Sequence, residues 1–296
     1  MINDVQRKVI LRLFDSQIQP LLLYGAEVWG VNDCETVESA HLYMLKRILN
    51  VSNKTPNTLV YGDLGRYPMH IIASCKAVKY WLRLLKMPPH RFPKMAYDMM
   101  ISKGQRLDNW ATNIKKLLCT YGYENVWLSQ EVEDEGKLLC TLRQKLIDRF
   151  NYDWNERLSK YRFSIYSLYK RARYFETYLD VVNKQTLRES LTRFRFGISD
   201  IKVHKLRYCP GETNLLCPMC TEEDEDEIHF LLHCPVYNDL RSKYILSDDV
   251  PPNVETFVKI MSNTSDQQVW ALSLYVHYAM RRRNNADADV NTDYCL

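Results

Sequence analysis

Apolar residues recur along most of this chain at intervals of three and four, the spacing that lines one face of an α-helix. One such pattern runs over residues 5–29 and contains Pro20, which predicts a kink or break there. Asp33 can cap a second helix, and a longer pattern over 69–87 ends at two consecutive prolines. These segments predict a compact helical unit over residues 1–90.

The helical pattern continues through the rest of the chain. Residues 108–121 and 131–158 have helical spacing. Residues 183–196 also have helical spacing, and Gly197 follows them as a C-terminal cap. Strand signals are sparse, and 201–208 is the one short run that could form a strand. With only 9 Gly among 296 residues, the chain also lacks the many turns of a sandwich or barrel, so a mainly α fold is predicted.

Positive charge is concentrated in the middle of the chain. The formal net charge is +4, although 222–227 are six consecutive acids, so the remaining residues sum to +10. Residues 141–207 contain 16 Lys or Arg and 7 Asp or Glu, a net charge of +9. This asymmetry indicates a polyanionic partner, and the tyrosines of the segment offer faces on which bases can stack. The candidate nucleic-acid-binding residues are Arg162, Lys170, Arg171, Arg173, Arg193 and Arg195.

These charge features also have a second interpretation. The tyrosines of the basic stretch, Tyr166, Tyr169, Tyr174 and Tyr178, are then half-buried along helices, and its basic side chains are only solvated. The acidic run 222–227 is either a solvated face or docks on basic groups of the same chain, with 162–207 as the candidate. Six adjacent carboxylates repel phosphates, so the run itself is not expected to contact nucleic acid. The three arginines at 281–283 can be explained by the negative end of a helix alone.

Four residues near the C-terminus have the spacing of a zinc module. Cys217 and Cys220 are separated by two residues, and His229 follows after eight more. Cys234 comes after a further four residues. The first pair fits a tight turn around a tetrahedral ion, and the second pair is expected on a short helix beginning near Asp226. Four protein ligands fill the coordination shell, which favours a structural zinc over a catalytic one.

The fourth ligand of this module stays open at the level of spacing. His233 lies four residues after His229 on the same helical face, so a site of two cysteines and two histidines is also possible. Cys209 lies further upstream and is interpreted as a bystander. The cysteines in helical patterns are interpreted as small buried hydrophobes; they are Cys34, Cys75, Cys119 and Cys140.

Other signals exclude several classes of protein. Charged residues interrupt 1–16, which fits neither a signal peptide nor a membrane span, so an intracellular protein without a membrane partner is expected. The paired aspartates Asp248 and Asp249 lack the apolar hairpin of a two-metal polymerase site, so they are assigned to a loop or helix cap. No Gly-rich phosphate loop is present.

A series of short motifs runs through nearly the whole chain. The motifs are 17–30 (QIQPLLLYGAEVWG), 46–51 (KRILNV), 55–57 (TPN), 61–68 (YGDLGRYP), 169–170 (YK) with 175–179 (FETYL), 191–195 (LTRFR), and 226–237 (DEIHFLLHCPVY) with 240–241 (LR). In this order they resemble the region after the palm of LINE-type, non-long-terminal-repeat retrotransposon reverse transcriptases. The order of the motifs makes the resemblance specific, not any motif by itself.

The resemblance implies a domain organisation. In that family a helical thumb, a helical connector and a zinc module follow the polymerase domain, and the zinc ligands carry over onto Cys217, Cys220, His229 and Cys234. The expected segments are a thumb-like helical unit, a basic and aromatic-rich helical connector, a zinc module, and C-terminal helices with a tail. They span 1–90, 91–207, 208–246 and 247–296.

The departure from the family is as informative as the match. The catalytic Tyr-x-Asp-Asp of the palm has no counterpart here, and the endonuclease that often precedes the palm is absent. The chain therefore looks like a truncated copy that begins at or near the thumb. No enzymatic activity of its own is expected, because catalytic residues would have to come from another chain.

Two functions follow as expectations. The first is a zinc-containing, non-catalytic fragment that binds RNA or single-stranded DNA weakly and with little sequence preference. The alternative is a zinc-stabilised protein-interaction module with no nucleic-acid role. RNA affinity that falls steeply with salt supports the first, and protein partners retained without RNA binding support the second.

Overall fold

The computed structural model of the chain describes residues 5–32, 34–102, 108–160, 164–208, 214–245 and 251–292. These residues are mainly α-helical and contain no β-strand, only isolated bridges of Leu64 with Phe175 and of Leu216 with Asp224. The predicted mainly α fold is confirmed. Several residues with predictions lie outside the described ranges: Asp33, Arg162, Cys209, Asp248 and Asp249.

In chain order the helices of the N-terminal part are α1 (Arg7–Leu13), a π-helical turn (Phe14–Ile18), α2 (Gln19–Leu22), α3 (Ala26–Trp29), α4 (Glu35–Leu49), α5 (Asn57–Leu64), α6 (Met69–Leu85), α7 (Phe92–Ser102), α8 (Trp110–Thr120), α9 (Glu124–Ser129) and α10 (Glu135–Leu158). Those of the C-terminal part are α11 (Ser164–Tyr169), α12 (Tyr178–Val181), α13 (Gln185–Arg195), α14 (Lys202–Tyr208), α15 (Asn238–Tyr244), α16 (Val254–Met261) and α17 (Asp266–Thr292). A π-helical turn (His229–His233) and a 3₁₀ turn (Pro235–Tyr237) precede α15.

Local signals explain where several helices begin and end. The Asn109 side chain accepts the Thr112 backbone N–H at 3.0 Å and caps α8. Gly122 follows α8 with φ +77°, and Gly197 follows α13 with φ +64° as its predicted cap. Pro20 lies in the first turn of α2, so the predicted break takes the form of the widened π-helical turn before it.

The run 201–208, considered as a strand, forms α14, so that prediction is wrong. Ile201 and His204 are both fully buried and lie three residues apart. This is the spacing of a helix face, whereas a strand buries every second residue.

The chain divides into two compact units. The first unit comprises residues 1–11, 45–66 and 156–296, and the second comprises 12–44 and 67–155. The block predicted over 1–90 contributes to both units. None of the described helices combines the length and the apolarity that a membrane crossing requires.

The second unit has an apolar core with one buried chain of hydrogen bonds. Trp81 and Leu142 are fully buried in this core. Trp81 Nε1 donates to the Tyr97 hydroxyl at 2.8 Å, and that hydroxyl donates to Gln130 Oε1 at 2.5 Å. The indole N–H of Trp81 and the hydroxyl of Tyr97 therefore both have partners inside the core.

Gly30 permits the close approach of α3 and α6 in the second unit. A Cβ atom at this position would lie 2.4 Å from the Ala26 carbonyl oxygen and 2.9 Å from the Ala73 Cβ. The packing of these two helices therefore requires a residue without a side chain.

Candidate metal centre and basic groove

Four side chains of the first unit come together as a candidate metal centre. The ligand atoms of Cys217, Cys220, His229 and Cys234 all lie within 4.8 Å of one another. The Sγ atoms of Cys217 and Cys234 are 4.0 Å apart, and Cys220 Sγ lies 3.4 Å from the ring of His229 at Nε2. A tetrahedral zinc ion with bonds of about 2.0–2.3 Å holds its ligand atoms roughly 3.5–3.8 Å apart. The donor set and its spacing therefore fit such an ion.

The first two ligands are placed by a tight turn. The Cys217 N–H donates to the Glu223 carbonyl at 2.8 Å, and the Glu225 N–H donates to the Leu215 carbonyl at 2.7 Å. Two short extended segments thus enclose the turn, and Thr221 closes it in the left-handed region with φ +60°.

The second pair is placed by a short helix that begins next to Asp226, as expected, and that has π-helical form over His229–His233. The Asp226 side chain accepts the His229 backbone N–H at 2.6 Å and caps the turn. The Cys234 N–H donates to the His229 carbonyl at 2.9 Å, five residues back instead of the four of an α-helix. Because the π-helical turn contains one residue more than an α-helical turn, Cys234 occupies the position one turn after His229 that His233 would occupy on an α-helix.

His233 lies outside the four-residue group. Its Nε2 is 2.9 Å from the Pro252 carbonyl oxygen, and its ring is partly exposed. Cys234, by contrast, is fully buried. Glu223, His229 and His233 form a second group within metal-binding distance, but this group shares His229 with the first. Of the two alternatives for the fourth position, the structure places Cys234 with the other three residues.

Hydrogen bonds between side chains shift the pKa values of the candidate ligands. His229 Nδ1 lies 2.9 Å from Glu223 Oε2, the kind of outer partner that a metal-binding imidazole usually has. Burial opposes a charged His229, but contacts with Cys217 and Glu223 outweigh it and raise the pKa of His229 to about 9. The hydrogen bond between the two thiols lowers the pKa of Cys217 and raises the pKa of Cys234, so Cys217 is the thiolate of this pair.

The acidic run beside the centre contains a buried ion pair. Glu225 is buried, and Arg283 holds both of its carboxylate oxygens, at 2.6 Å from Nε and 2.8 Å from Nη2. The Lys202 backbone N–H donates to the same carboxylate at 2.8 Å. Glu225 therefore joins the segment that contains the four candidate ligands to α14 and α17.

Glu227 makes a second buried connection. Its Oε1 lies 3.0 Å from His204 Nε2 and 2.7 Å from Arg207 Nη2. Burial favours the protonated acid, but His204 and Arg207 outweigh it and lower the pKa of Glu227 to about 2. Glu227 therefore docks on basic groups of the same chain, which is one of the two interpretations of the acidic run. Its partner Arg207 belongs to 162–207, the stretch that was the predicted docking site. Glu222 and Asp224 are exposed, as a solvated face requires.

Two predicted nucleic-acid-binding residues are buried, which corrects the prediction for both. Lys170 is 0% exposed and forms an ion pair with Glu176. Arg195, 5% exposed, lies 3.2 Å from Glu176 and 3.3 Å from Asp63. Their charges are neutralised inside the protein, so neither reaches a phosphate. Sequence patterns do not reveal this, because Asp63 lies 132 residues before Arg195.

Three tyrosines considered as stacking faces belong to the same buried cluster. Tyr166 and Tyr178 donate their hydroxyls to the Asp63 carboxylate at 2.7 and 2.9 Å. Tyr169 donates its hydroxyl to the Arg195 carbonyl at 2.6 Å. All three are buried, so they serve the core and cannot stack on bases.

The remaining predicted residues that the structure describes are Arg171, Arg173 and Arg193, and none of them is buried. Arg171 and Arg193 are exposed, and so is Tyr174. Arg173 is half-buried, and its Nη1 donates to the Arg66 carbonyl at 2.7 Å. Arg171 and Arg193 therefore remain the exposed candidates for phosphate contacts.

A groove of about 520 Å³ in the first unit brings Arg193 together with two cations that the sequence analysis did not single out. These are Lys54, in the loop between α4 and α5, and Lys205 of α14. Glu189 and Asp200 also line the groove, so its charge is mixed with a positive excess. No local pattern signals this grouping, since the loop and the two helices are far apart in the chain.

Comparisons of the chain with protein-family models, with curated proteins and with solved structures found no match. The resemblance to LINE-type reverse transcriptases rests on the order of the motifs alone. Function is therefore inferred from the residues and their geometry.

Proposed function

We propose that this protein is a non-catalytic, zinc-containing nucleic-acid-binding protein related to the C-terminal part of LINE-type reverse transcriptases. The observation that carries the proposal is the set of three sulfurs and one imidazole, with three of these four side chains buried, in the same unit as a basic groove. Zinc at this set would act as a structural cross-link, because four protein ligands complete its tetrahedral shell. The ligands would be Cys217, Cys220, His229 and Cys234, with Glu223 orienting the imidazole.

The buried charge cluster supports the proposed relationship. Asp63, Lys170, Glu176 and Arg195 come from four separate motifs of the resemblance, and they meet in one place. Removing one partner of a buried ion pair costs about 3–5 kcal/mol, because the other charge stays desolvated. Because each buried charge needs its partners, the cluster gives a physical reason why these short motifs, which are far apart in the sequence, occur in the same chain.

The basic groove supports the nucleic-acid part of the proposal. Lys54 and Arg193 are exposed and Lys205 is half-buried, so their charges can meet phosphates from solvent. Contacts to phosphates carry no base information, which agrees with weak sequence preference. If the three cations meet three phosphates of a single strand, log affinity should fall against log salt with a slope of about −2, at ~0.7 per phosphate.

The test is a pair of matched triple variants titrated with labelled oligouridine RNA over a series of salt concentrations. Lys54→Ala/Arg193→Ala/Lys205→Ala should lower the affinity and flatten the slope by up to about 2. The control triple removes exposed cations of the second unit and should leave both quantities unchanged; it is Lys79→Ala/Arg83→Ala/Lys137→Ala. A wild-type affinity independent of salt, or equal losses in both triples, would refute the proposed groove.

One observation favours the alternative, a protein-interaction module without a nucleic-acid role. Large apolar side chains of the second unit are strongly exposed; they are Leu13, Ile18, Leu21, Tyr24 and Val28. Contiguous apolar surface is typical of protein interfaces. Absence of oligonucleotide binding, together with a protein partner that is lost on Leu21→Glu, would favour this function over the first.

A further inference from the structure

A second cleft, of about 500 Å³, lies between α15 and α17 of the first unit and shares no lining residue with the basic groove. Lys243 and Tyr244 line it from α15, and Tyr278 and Arg281 line it from α17. The proposed function so far gives these residues no role.

The neighbouring arginines fix the walls of this cleft. The guanidinium of Arg282 donates to both carboxylate oxygens of Asp239 at 2.7 Å and to the Val236 carbonyl at 2.6 Å. Arg283, the next residue, is buried against Glu225. Both arginines hold α17 against the segment that contains the metal ligands. Helix α17 continues to Thr292, so the arginines at 281–283 do not lie at its negative end, and the explanation by a helix end is wrong.

Two aromatic rings, one from each helix, line the cleft. The ring centroids of Tyr244 and Tyr278 are 6.2 Å apart, and the ring planes differ by only 15°. Tyr278 is 40% exposed, so part of the pair is open to solvent. Lys243 Nζ lies 5.1 Å from the centroid of the Tyr244 ring. Exposed, nearly parallel aromatic rings are platforms on which unpaired bases stack.

The cations of the cleft differ in whether a carboxylate already balances their charge. The charge of Arg282 is matched by Asp239. Lys243 and Arg281 are exposed, and within the described part of the chain neither has a carboxylate partner. Two cations without a carboxylate partner therefore flank the aromatic pair. The phosphate of a base stacked on this pair would lie next to them.

We propose that this cleft binds an unpaired nucleotide of single-stranded RNA or DNA. The base stacks on the pair Tyr244 and Tyr278, and the adjoining phosphates contact Lys243 and Arg281. This inference rests on the proposed nucleic-acid binding and adds a second site to it. An acidic peptide would gain little from the parallel rings. A sugar would stack on the rings without needing the cations. The combination of rings and cations therefore favours a base joined to a phosphate as the ligand.

The test uses oligouridine RNA with one 4-thiouridine in the middle, irradiated in complex with the full chain. The expected cross-link lies in the peptide that contains Tyr278 and Arg281. In titrations with unmodified oligouridine, Tyr278→Ala should lower the affinity at least about fivefold, the lower end for a base stacked on an aromatic ring. Arg281→Ala should lower the affinity and reduce the salt slope by about 0.7. Tyr278→Phe keeps the ring, so it should bind as the wild type does.

The groove triple variant separates this inference from the proposed function. A cross-link at Tyr278 that survives in the groove triple and is lost in Tyr278→Ala supports a separate site in the cleft. Unchanged affinity of Tyr278→Ala, with the cross-link elsewhere, would overturn the cleft while general nucleic-acid binding stands. A wild type that binds no oligouridine overturns both, and binding of polyglutamate in its place would assign Lys243 and Arg281 to an acidic protein partner.

Discussion

Replacing Arg283 by alanine leaves a buried carboxylate without its counter-charge. Arg283 is 0% exposed and its partner Glu225 is 1% exposed, with contacts of 2.6 and 2.8 Å. Removing one member of such a pair costs about 3–5 kcal/mol, because the remaining charge stays out of water. The Lys202 N–H still donates to Glu225 at 2.8 Å, so we expect a loss near the lower limit, about 3 kcal/mol.

The double variant Glu225→Gln/Arg283→Met isolates the unpaired charge as the cause of this loss. The glutamine oxygen can still accept from Lys202, and methionine fills part of the volume of the arginine stem. Buried ion pairs replaced by neutral side chains of similar volume often cost little. We therefore expect the double variant to lose no more than about 1 kcal/mol, although it lacks both charges.

The measurement is urea unfolding of the zinc-loaded protein, followed by far-ultraviolet circular dichroism and in parallel by zinc release to a chromogenic chelator. Arg283→Ala should release zinc at lower urea, because Glu225 lies between the two pairs of ligands. Arg281→Ala is the matched control on the same helix and should stay within about 0.5 kcal/mol of the wild type. An Arg283→Ala variant as stable as this control would refute the reasoning.

Two further predictions concern the fourth ligand and the helix contact in the second unit. Cys234→Ala should lose most of its bound zinc, whereas His233→Ala should keep one ion per chain in metal analysis of the purified protein; the reverse order would assign the position to His233. Gly30→Ala places its Cβ 2.4 Å from the Ala26 carbonyl oxygen, so unfolding should lose about 1–3 kcal/mol. An unchanged unfolding midpoint would show that α3 and α6 can separate without cost.

Local features of this protein were open to prediction because their causes lie within a few residues. The helix over 183–196 appears as α13, and Gly197 follows it in the left-handed conformation that the pattern requires. Three of the four candidate ligands, Cys217, Cys220 and His229, were also found from spacing, since a tetrahedral ion restricts how far apart its ligands can lie, whereas spacing left the fourth open between His233 and Cys234. The π-helical turn was missed, although its bond from Cys234 to His229 decides which residue takes the fourth place.

Long-range pairing was not open to prediction. Lys170 and Arg193 look alike in the sequence, yet the first is buried against Glu176 and the second lines the groove. Arg283 was assigned to a helix end, whereas its partner Glu225 lies 58 residues earlier in the chain. Which basic residues are neutralised depends on contacts between distant segments, and charge counts over a stretch cannot separate them.

Helix α14 connects the metal centre with the basic groove. Its His204 contacts Glu227 at 3.0 Å, and both His204 and Lys205 line the groove. The His204 ring also accepts the Ser199 backbone N–H at 3.2 Å, so it holds the preceding loop, which forms part of the groove wall. A helix of seven residues has little stability of its own, so α14 depends on these contacts for its position.

From these contacts of the acidic run we infer that the groove depends on a metal at the candidate centre. Glu225 and Glu227 anchor α14 through the Lys202 N–H and through His204, and both acids lie between the first pair of ligands and His229. A segment this small folds only with its metal, because it buries too little surface by itself. On the proposed function, we expect that without zinc both anchors are lost together and the position of Lys205 is lost with them. We then expect nucleic-acid binding through the groove to require the metal, even though in this proposal no phosphate contacts the ion.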